Sequence, residues 1–257
     1  MADLRVNPFG HVDRVLFVHA HPDDETLSSG GLILWLAGRG IRVALLTATR
    51  GERGEVVPAL RGEVGDDADV LTGIRLDELR GAVRVLGISE AYLLGTPPAR
   101  ATGLPARRYS DSGMRWVTPT LAGPVDDAPP DALTRAAQEE VEADMLAVIR
   151  HVKPGLVVGY DDQGGYGHPD HVCIRSAALR AGASAGVPFA ELVSADTAGA
   201  FVVDAPDRIE KIKDALRCHA TQLTVDGDEV VHSGGQRERI RTAYGVRIAA
   251  PAHPTAG

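Results

Sequence analysis

Short apolar segments alternate with amphipathic helical segments along most of the chain, and this alternation narrows the possible folds more than any other feature. Residues 14–20 (RVLFVHA) are mostly apolar and rich in β-branched side chains, which predicts a strand buried on both faces. Similar strands are predicted over 41–48, 91–94, 156–160 and 199–203. Strands that alternate with helices form a parallel sheet with right-handed crossovers.

The helices expected between these strands come from apolar residues at helical spacing. They are predicted over 25–37, 74–86, 131–152, 169–181 and 205–217. We therefore expect an α/β fold with a Rossmann-like, mostly parallel sheet and helices on both faces. In such a fold the active site lies at the carboxyl ends of the strands.

Three segments fall outside this alternation. Seven of the 16 prolines lie within 97–130, which predicts a long irregular excursion there. The acidic stretch 52–69 is predicted to be irregular as well, and the tail 249–257 to be frayed. Because the sequence contains no internal repeat and no composition change typical of a linker, we expect a single domain over 1–257.

Composition excludes several classes of function. The 27 Lys and Arg residues against 35 Asp and Glu residues give a net charge of −8, so we expect neither a nucleic-acid nor a membrane partner. The sequence contains no signal-peptide core and no membrane-spanning apolar run, so a cytoplasmic location is expected. Two cysteines do not form a thiolate cluster, so a metal would need histidine and carboxylate ligands. Composition does not decide whether the chain forms a homo-oligomer.

Residues suited to chemistry follow two of the predicted strands directly. Strand 14–20 runs into His-Pro-Asp-Asp-Glu at 21–25, and strand 156–160 is followed by Gly-Tyr-Gly-His-Pro-Asp-His at 165–171. Ligands of open α/β sheets bind at this edge of the sheet. A dinucleotide site does not fit, because a glycine-rich turn should follow the first strand and these carboxylates would repel a pyrophosphate.

Each motif also has a purely structural interpretation. Asp23 and Asp24 would favour the N-terminus of the helix that begins near residue 25, and Pro169-Asp170 is typical of a first helical turn. Two such motifs at matching strand ends favour a functional site over this interpretation.

Zinc gives a physical reason for pairing the two motifs. It binds imidazole and carboxylate groups, and a catalytic zinc has three protein ligands with a fourth position open for water. We expect His21, Asp24 and His171 to be these ligands, with one ion per chain and iron as an alternative to zinc. Asp23 is then free to accept a proton from water as a general base.

The two motifs together resemble those of the PIG-L/LmbE-like zinc-dependent deacetylases. Four further blocks share the resemblance, which covers most of residues 14–223: Gly-Glu-Arg-Gly-Glu at 51–55, Ile-Arg-Leu-Asp-Glu-Leu at 74–79, Asp-Ser-Gly-Met at 111–114 and His-Ala-Thr-Gln at 219–222. They are most similar to the branch that works on mycothiol, which contains N-acetylglucosaminylinositol deacetylases and mycothiol S-conjugate amidases.

The resemblance also implies roles for particular residues. The family's zinc ligands and general base match the set chosen above, His21, Asp24, His171 and Asp23. His168 matches a histidine that, when protonated, stabilises the oxyanion and protonates the leaving amine, and Asp170 matches the carboxylate that tunes it. Tyr166 matches a mobile tyrosine that polarises the amide carbonyl.

Residues implied to contact the sugar are Arg75, Asp111 and Glu55. Plainer interpretations exist for two of them, since Arg75 could be a helix surface residue and Asp111 a loop turn. His19 is expected to pack inside the end of its strand, and His219 to end a helix.

The resemblance implies a zinc-dependent hydrolase that removes the acetyl group from a small molecule containing N-acetylglucosamine, with N-acetylglucosaminylinositol as the expected substrate. The alternatives are a mycothiol S-conjugate amidase and a non-catalytic sugar-binding protein. Ser28 and Ser29 in place of a lysine, and Gly167 in place of a proline, favour the deacetylase. Only about 48 positions separate His171 from His219, fewer than in the mycothiol branch, which implies a more open pocket or a different substrate.

Overall fold

Strands form three sheets in the computed structural model, which describes residues 7–65 and 67–250. They are β1 (Arg14–His19), β2 (Arg42–Thr47), β3 (Glu90–Leu93), β4 (Arg115–Thr118), β5 (Leu121–Gly123), β6 (Leu156–Tyr160), β7 (Phe189–Val193), β8 (Phe201–Asp204), β9 (Leu223–Asp226), β10 (Glu229–His232), β11 (Arg237–Arg239) and β12 (Ala243–Ile248). The largest sheet has the order β3-β2-β1-β6-β7-β12-β8. Its first five strands are parallel, and β12 is antiparallel to both of its neighbours.

The helices connect these strands and cover the sheet. They are α1 (Asp24–Leu27), α2 (Gly30–Ala37), α3 (Arg61–Val64), α4 (Ala68–Leu86), α5 (Gln138–Val152), α6 (Gly164–Gly167), α7 (Pro169–Ala185) and α8 (Ile209–Cys218). None of the helices in the described residues is both long and apolar enough to cross a membrane.

Two apolar layers lie on the two faces of the large sheet, because neighbouring side chains of a strand point to opposite faces. Val15 and Phe17 of β1 belong to a cluster with apolar residues of α2, α4 and α8. Leu16 and Val18 of the same strand belong to a second cluster with residues of α5 and α7. The predicted α/β fold, with helices on both faces of a mostly parallel sheet, is therefore confirmed.

Several helix boundaries differ from those predicted. The helix expected over 25–37 is interrupted at Ser28 and Ser29, where the Ser29 hydroxyl donates to the carbonyl oxygen of Glu25. The helix expected from residue 74 begins at Ala68, because the Asp67 carboxylate caps the backbone N–H groups of residues 69 and 70. The helix expected over 131–152 begins only at Gln138, after a short 3-10 turn.

The strands that the sequence did not predict lie at the antiparallel side of the large sheet and in two hairpin regions. β7 and β12 contain the charged residues Glu191 and Arg247, which pair with one another and so hide the apolar pattern of these strands. The excursion 97–130 contains the β4–β5 hairpin. Residues 251–257 of the tail lie outside the described residues, and Ala249 is not frayed but donates to the carbonyl oxygen of Phe189.

The crevice that matters for function follows from the strand order. The chain runs from β1 to β2 and β3 on one side, and from β6 to β7 on the other. Adjacent parallel strands whose connections leave in opposite directions open a crevice at their carboxyl ends. β1 and β6 are these strands, and they carry the two motifs that the sequence analysis selected.

Candidate metal centre and active site

The motifs that follow β1 and β6 meet in this crevice. The chain turns after β1 and enters α1 at Asp24, which places His21 and Asp24 on the same turn. After β6 it passes through α6 and enters α7, with His168 as the N-cap. His171, in the first turn of α7, thereby reaches the ring of His21, although 150 positions separate the two in sequence.

Three side-chain atoms in the crevice form a nearly equilateral triangle. His21 Nδ1 and Asp24 Oδ2 are 3.3 Å apart, His171 Nε2 and Asp24 Oδ2 are 3.4 Å apart, and the two histidine nitrogens are 3.3 Å apart. Ligands placed ~2.0–2.1 Å from a tetrahedral ion are separated by about 3.3–3.4 Å. The donor atoms of the three predicted ligands therefore fit a zinc ion, with the fourth corner left for water or substrate.

A looser grouping of donor atoms overlaps this triangle. Atoms of His21, Asp111, His168 and Asp170 lie within 4.8 Å of one another, as do those of His21, His168 and His171. We favour the triangle with Asp24, because its three separations are nearly equal and each matches the edge of a zinc tetrahedron.

Hydrogen bonds orient both histidines for metal binding. His21 Nε2 lies 3.2 Å from Asp170 Oδ2, and His171 Nδ1 lies 3.1 Å from the carbonyl oxygen of Gly164. Each of these acceptors holds a proton on the nitrogen that faces it, which leaves the other nitrogen unprotonated and directed into the triangle. This is the arrangement usually found around metal-bound imidazoles.

Charge in the crevice also favours a cation. Burial opposes the charged form of His21, yet Asp111, Asp170 and Asp24 outweigh it and raise the pKa of this imidazole well above its usual value. For Asp24, burial alone would raise the pKa, but His171 and His21 hold it well below the usual range. So many carboxylates in one buried site require positive charge, which a divalent ion supplies.

Tyr160, the last residue of β6, contacts two of the three side chains of the triangle. Its hydroxyl donates to Asp24 Oδ2 over 2.7 Å and accepts the backbone N–H of Ala20 over 2.8 Å. Its ring is stacked on His171, with centroids 4.0 Å apart and planes 9° apart. We did not predict this role, because a tyrosine at the end of an apolar strand has the pattern of a core residue.

Asp23 lies beside the triangle in a strained backbone conformation. Its φ of 112° is unusual for a residue other than glycine, and strain of this kind often accompanies function. Burial, together with the neighbouring charge of Asp24, raises the pKa of Asp23 to about 7. A carboxylate of this basicity is suited to proton transfer near neutral pH.

A buried ion pair holds the backbone at Asp23. Glu25 accepts the Asp23 N–H over 3.0 Å through one oxygen and lies 2.8 Å from His219 Nε2 through the other. Glu25 and His219 are both fully buried. Burial opposes both charges, but the Glu25 carboxylate raises the pKa of His219 and the imidazole lowers that of Glu25.

His219 therefore does more than end a helix. It is the C-cap residue of α8, as predicted, but its ring reaches the first motif. The His-Ala-Thr-Gln block of the resemblance was the sequence signal for this contact. His19, by contrast, is buried at the end of its strand as expected, with Nε2 2.9 Å from the Ser29 hydroxyl.

The carboxylate of Asp170 and the ring of His168 have different hydrogen-bond partners. The Asp170 carboxylate accepts the N–H and the hydroxyl of Ser112 and contacts His21, whereas His168 Nδ1 accepts the backbone N–H of Asp170. Burial, and then the neighbouring imidazoles of His21 and His171, lower the pKa of His168 to about 2, whereas the Asp170 carboxylate acts in the opposite direction, as expected. His168 is thus a neutral imidazole whose Nε2 carries the proton.

Tyr166 lies at the mouth of the crevice. Its ring centroid is 5.2 Å from that of His171 and 6.1 Å from that of His168, and 39% of the residue is exposed. Burial, and then the nearby Asp24 and Asp23, raise the pKa of its hydroxyl, which therefore keeps its proton and can donate it in a hydrogen bond.

The three predicted sugar contacts differ in their position. Asp111 is buried 3.7 Å from His21 Nε2, so the structure brings it to the site. Arg75 is only 1% exposed and donates to the carbonyl oxygens of Gly51, Gly54 and Glu55, so here it holds the loop after β2. The side chain of Glu55 is exposed on that loop.

Comparisons with known proteins show which proteins the chain is similar to. A family profile described as PIG-L, GlcNAc-PI de-N-acetylase, matches residues 16–182. The chain is 38% identical over 265 residues to the 1D-myo-inositol 2-acetamido-2-deoxy-alpha-D-glucopyranoside deacetylase of Kineococcus radiotolerans, and the match covers 85% of this chain and 71% of that protein.

Two solved structures share the fold at low sequence identity. The N,N'-diacetylchitobiose deacetylase from Pyrococcus horikoshii has a TM-score of 0.59 and 23% identity, over 83% of this chain and 72% of that one. The 4-carboxy-2-hydroxymuconate hydratase GalB of Pseudomonas putida has a TM-score of 0.57 and 19% identity, over 94% of this chain and 98% of that one. Because the two neighbours carry out different reactions, the fold alone does not identify the chemistry.

Proposed function

The chain belongs to the PIG-L family of GlcNAc-PI de-N-acetylases, and we propose that it is a zinc-dependent deacetylase acting on N-acetylglucosaminylinositol. The observation that carries this proposal is the triangle of His21, Asp24 and His171 donor atoms, 3.3–3.4 Å apart, with the Asp23 carboxylate beside it. The name of the Kineococcus relative supports the substrate.

A divalent ion held by His21, Asp24 and His171 would supply a Lewis acid for an amide carbonyl and a lowered pKa for water. The protein's own residues then carry the protons. Asp23 takes a proton from the attacking water as the new C–O bond forms, for which a pKa of about 7 is suitable. We infer that Asp23 is the general base.

Two donors are available for the carbonyl oxygen as it becomes negative. The Tyr166 hydroxyl keeps its proton, and neutral His168 carries its proton on Nε2 because Nδ1 is occupied by the Asp170 N–H. Fixed donors aimed at developing charge lower the barrier without reorganisation. We propose that both residues stabilise the oxyanion as hydrogen-bond donors.

The leaving nitrogen needs a proton when the C–N bond breaks. Because His168 is neutral, we assign this proton to Asp23, which returns the one that it took from water. The balance is then complete, since one water and one amide become acetic acid and a free amine, and transfer of the acid's proton to the amine gives acetate and an ammonium group. A single carboxyl group that acts first as base and then as acid satisfies microscopic reversibility.

The test of the proposal is acetate release by the zinc-loaded protein from N-acetylglucosaminylinositol, measured beside cleavage of a mycothiol S-conjugate. We expect the first reaction to be faster. A faster second reaction would instead identify an amidase, and the absence of both would favour a sugar-binding protein.

Three variants test the assignment of residues. His21→Ala and His171→Ala should lose zinc, as measured by elemental analysis, because two remaining ligands hold the ion poorly. Asp23→Asn should keep the metal but lose ~10²–10⁴-fold in kcat, because asparagine tolerates the backbone conformation and cannot accept the proton. Unchanged zinc in both histidine variants, or near-normal turnover of Asp23→Asn, would contradict the assignment.

A further inference from the structure

Exposed apolar side chains are concentrated beside the crevice. The described residues include eight large hydrophobic side chains that are exposed, and four of them lie beside the crevice on the β4–β5 hairpin or on segment 164–172, namely Trp116, Leu121, Tyr166 and Val172. Exposed hydrophobic residues that occur singly need no explanation, whereas a concentration of them marks a binding surface. The hairpin is therefore a candidate wall of the substrate site.

Trp116 and Tyr166 form a path of rings that leads out of the crevice. The Tyr166 ring lies 5.2 Å from the ring of His171, and the Trp116 ring lies a further 5.7 Å from Tyr166, tilted by 33°. Each step is about the spacing of two contacting rings. Trp116 is thus two ring spacings from a metal ligand and is 48% exposed.

Close packing holds the β4–β5 hairpin against segment 164–172. Gly167 has a φ of 88°, and a Cβ atom there would lie 2.7 Å from Leu121 Cδ1 and 2.9 Å from the carbonyl oxygen of Ala122. Glycine is the residue that allows such an approach. Ala122 in turn pairs with Trp116 across the hairpin, so the position of Trp116 is coupled to that of Tyr166.

We propose that Trp116, together with Tyr166, forms an aromatic platform for the second ring of a two-ring substrate, a polyhydroxylated sugar or cyclitol joined to the amino sugar. The inference rests on the proposed function. A substrate whose first ring carries the scissile amide at the metal site reaches Trp116 only with a second ring. The C–H face of that ring packs on the indole, while its hydroxyl groups remain in water.

Kinetics with two substrates test the platform. The ratio of kcat/KM for N-acetylglucosaminylinositol to that for N-acetylglucosamine should fall about 3- to 10-fold in Trp116→Ala, mostly through KM, and should recover in Trp116→Phe. Val117→Ala is the matched control. Val117 points towards Gly123, which pairs with Arg115, and so lies on the opposite face of the hairpin from Trp116.

Tryptophan emission gives a second readout that does not need turnover. The chain has two tryptophans, and Trp35 lies apart from the site, packed against Phe9 and Phe201. Glucosaminylinositol, the amine product, should change the emission of the wild-type zinc protein but not that of Trp116→Phe, and glucosamine should change neither.

The outcomes separate the inference from the proposed function. If the wild type deacetylates N-acetylglucosaminylinositol but the ratio and the Trp116 emission do not change, the platform is wrong and the function stands. If the wild type releases no acetate from either sugar, the function is wrong, and an unchanged Trp116 emission then rejects the platform as well. Loss of a dimer in Trp116→Ala, with an unchanged ratio, would assign the surface to a second copy of the chain.

Discussion

Tyr160 shows how much one side chain outside the set of metal ligands contributes to the site. Its hydroxyl is bonded to Asp24 Oδ2 and to the N–H of Ala20, and its ring is stacked on His171. Two of the three proposed ligands therefore depend on it for their orientation. Residues that orient metal ligands generally have large effects on metal affinity.

We predict that Tyr160→Phe weakens zinc binding by ~10–100-fold while the ring still packs on His171. The measurement is zinc titration against a competing chelator. Tyr92→Phe is the matched control, because the Tyr92 hydroxyl also donates to a carboxylate, that of Glu90, but far from the crevice on β3. Equal affinity in the wild type and Tyr160→Phe would show that Asp24 needs no such support.

At the scale of elements, α7 combines a structural and a chemical role in its first residues. His168 is the N-cap, and its Nδ1 accepts the N–H of Asp170. The bond that begins the helix also determines which ring nitrogen faces the substrate. A substitution of His168 can therefore act through the helix or through the reaction.

Two variants of His168 separate these effects. We predict that His168→Ala lowers the free energy of unfolding by about 1 kcal/mol, since the helix loses its cap, and that His168→Asn restores most of it. Neither variant should recover kcat, because neither carries the Nε2 donor. Urea unfolding and acetate release measure the two quantities, and recovery of kcat in His168→Asn would limit the role of the residue to capping.

The pair of Glu25 and His219 joins α1 to the end of α8, and its strength depends on pH. The pKa of His219 is raised above 6.5 in the folded protein. Its contribution to the free energy of unfolding is therefore complete below pH 6.5 and is lost as the pH rises through the raised pKa. The pKa of Glu25 is lowered below 4.5 in the folded protein. Its contribution to the free energy of unfolding is therefore complete above pH 4.5 and is lost as the pH falls through the lowered pKa. The pair is strongest between these limits.

We therefore predict that His219→Gln destabilises the protein more at about pH 6 than at a pH above the raised pKa of His219, where the wild type has also lost the charge of the pair. The measurement is the free energy of urea unfolding of both proteins at each pH. His11→Gln, at an exposed position, serves as the control. A difference that grows towards high pH would mean that His219 is neutral in the folded protein.

At the scale of the whole molecule, the proposed metal ligands join parts of the chain that are distant in sequence. His21 and Asp24 follow β1, and His171 belongs to α7 after β6. Such a triangle exists only in the folded chain, so a metal that binds it stabilises the folded state.

We predict that removal of zinc by a chelator lowers Tm by ~5–10 °C, because metal at 100 times its Kd adds about 2.7 kcal/mol and 1 kcal/mol shifts Tm by ~2–4 °C in a chain of this size. Asp24→Ala should show no such shift, since it lacks one ligand. Differential scanning calorimetry with and without zinc measures both, and equal shifts in the two proteins would place the metal elsewhere.

Features that depend on only a few neighbouring residues could be predicted from the sequence. The buried strands β1, β2 and β6 have continuous apolar runs, and the residues that follow them were sufficient to choose His21, Asp24 and His171, because the ends of central parallel strands converge whatever the rest of the fold does. The resemblance to the family depends on the same local motifs.

Contacts between distant segments were decided only by the tertiary structure. Asp170 bonds to Ser112 and His21, and Arg75 donates to carbonyl oxygens of the loop after β2. His219 reaches Glu25 across 194 positions. Sequence spacing determines which face of a helix or strand a side chain occupies, but the partner of a buried polar group depends on which other segment packs against that face, and its pKa depends on the charges that this packing brings together.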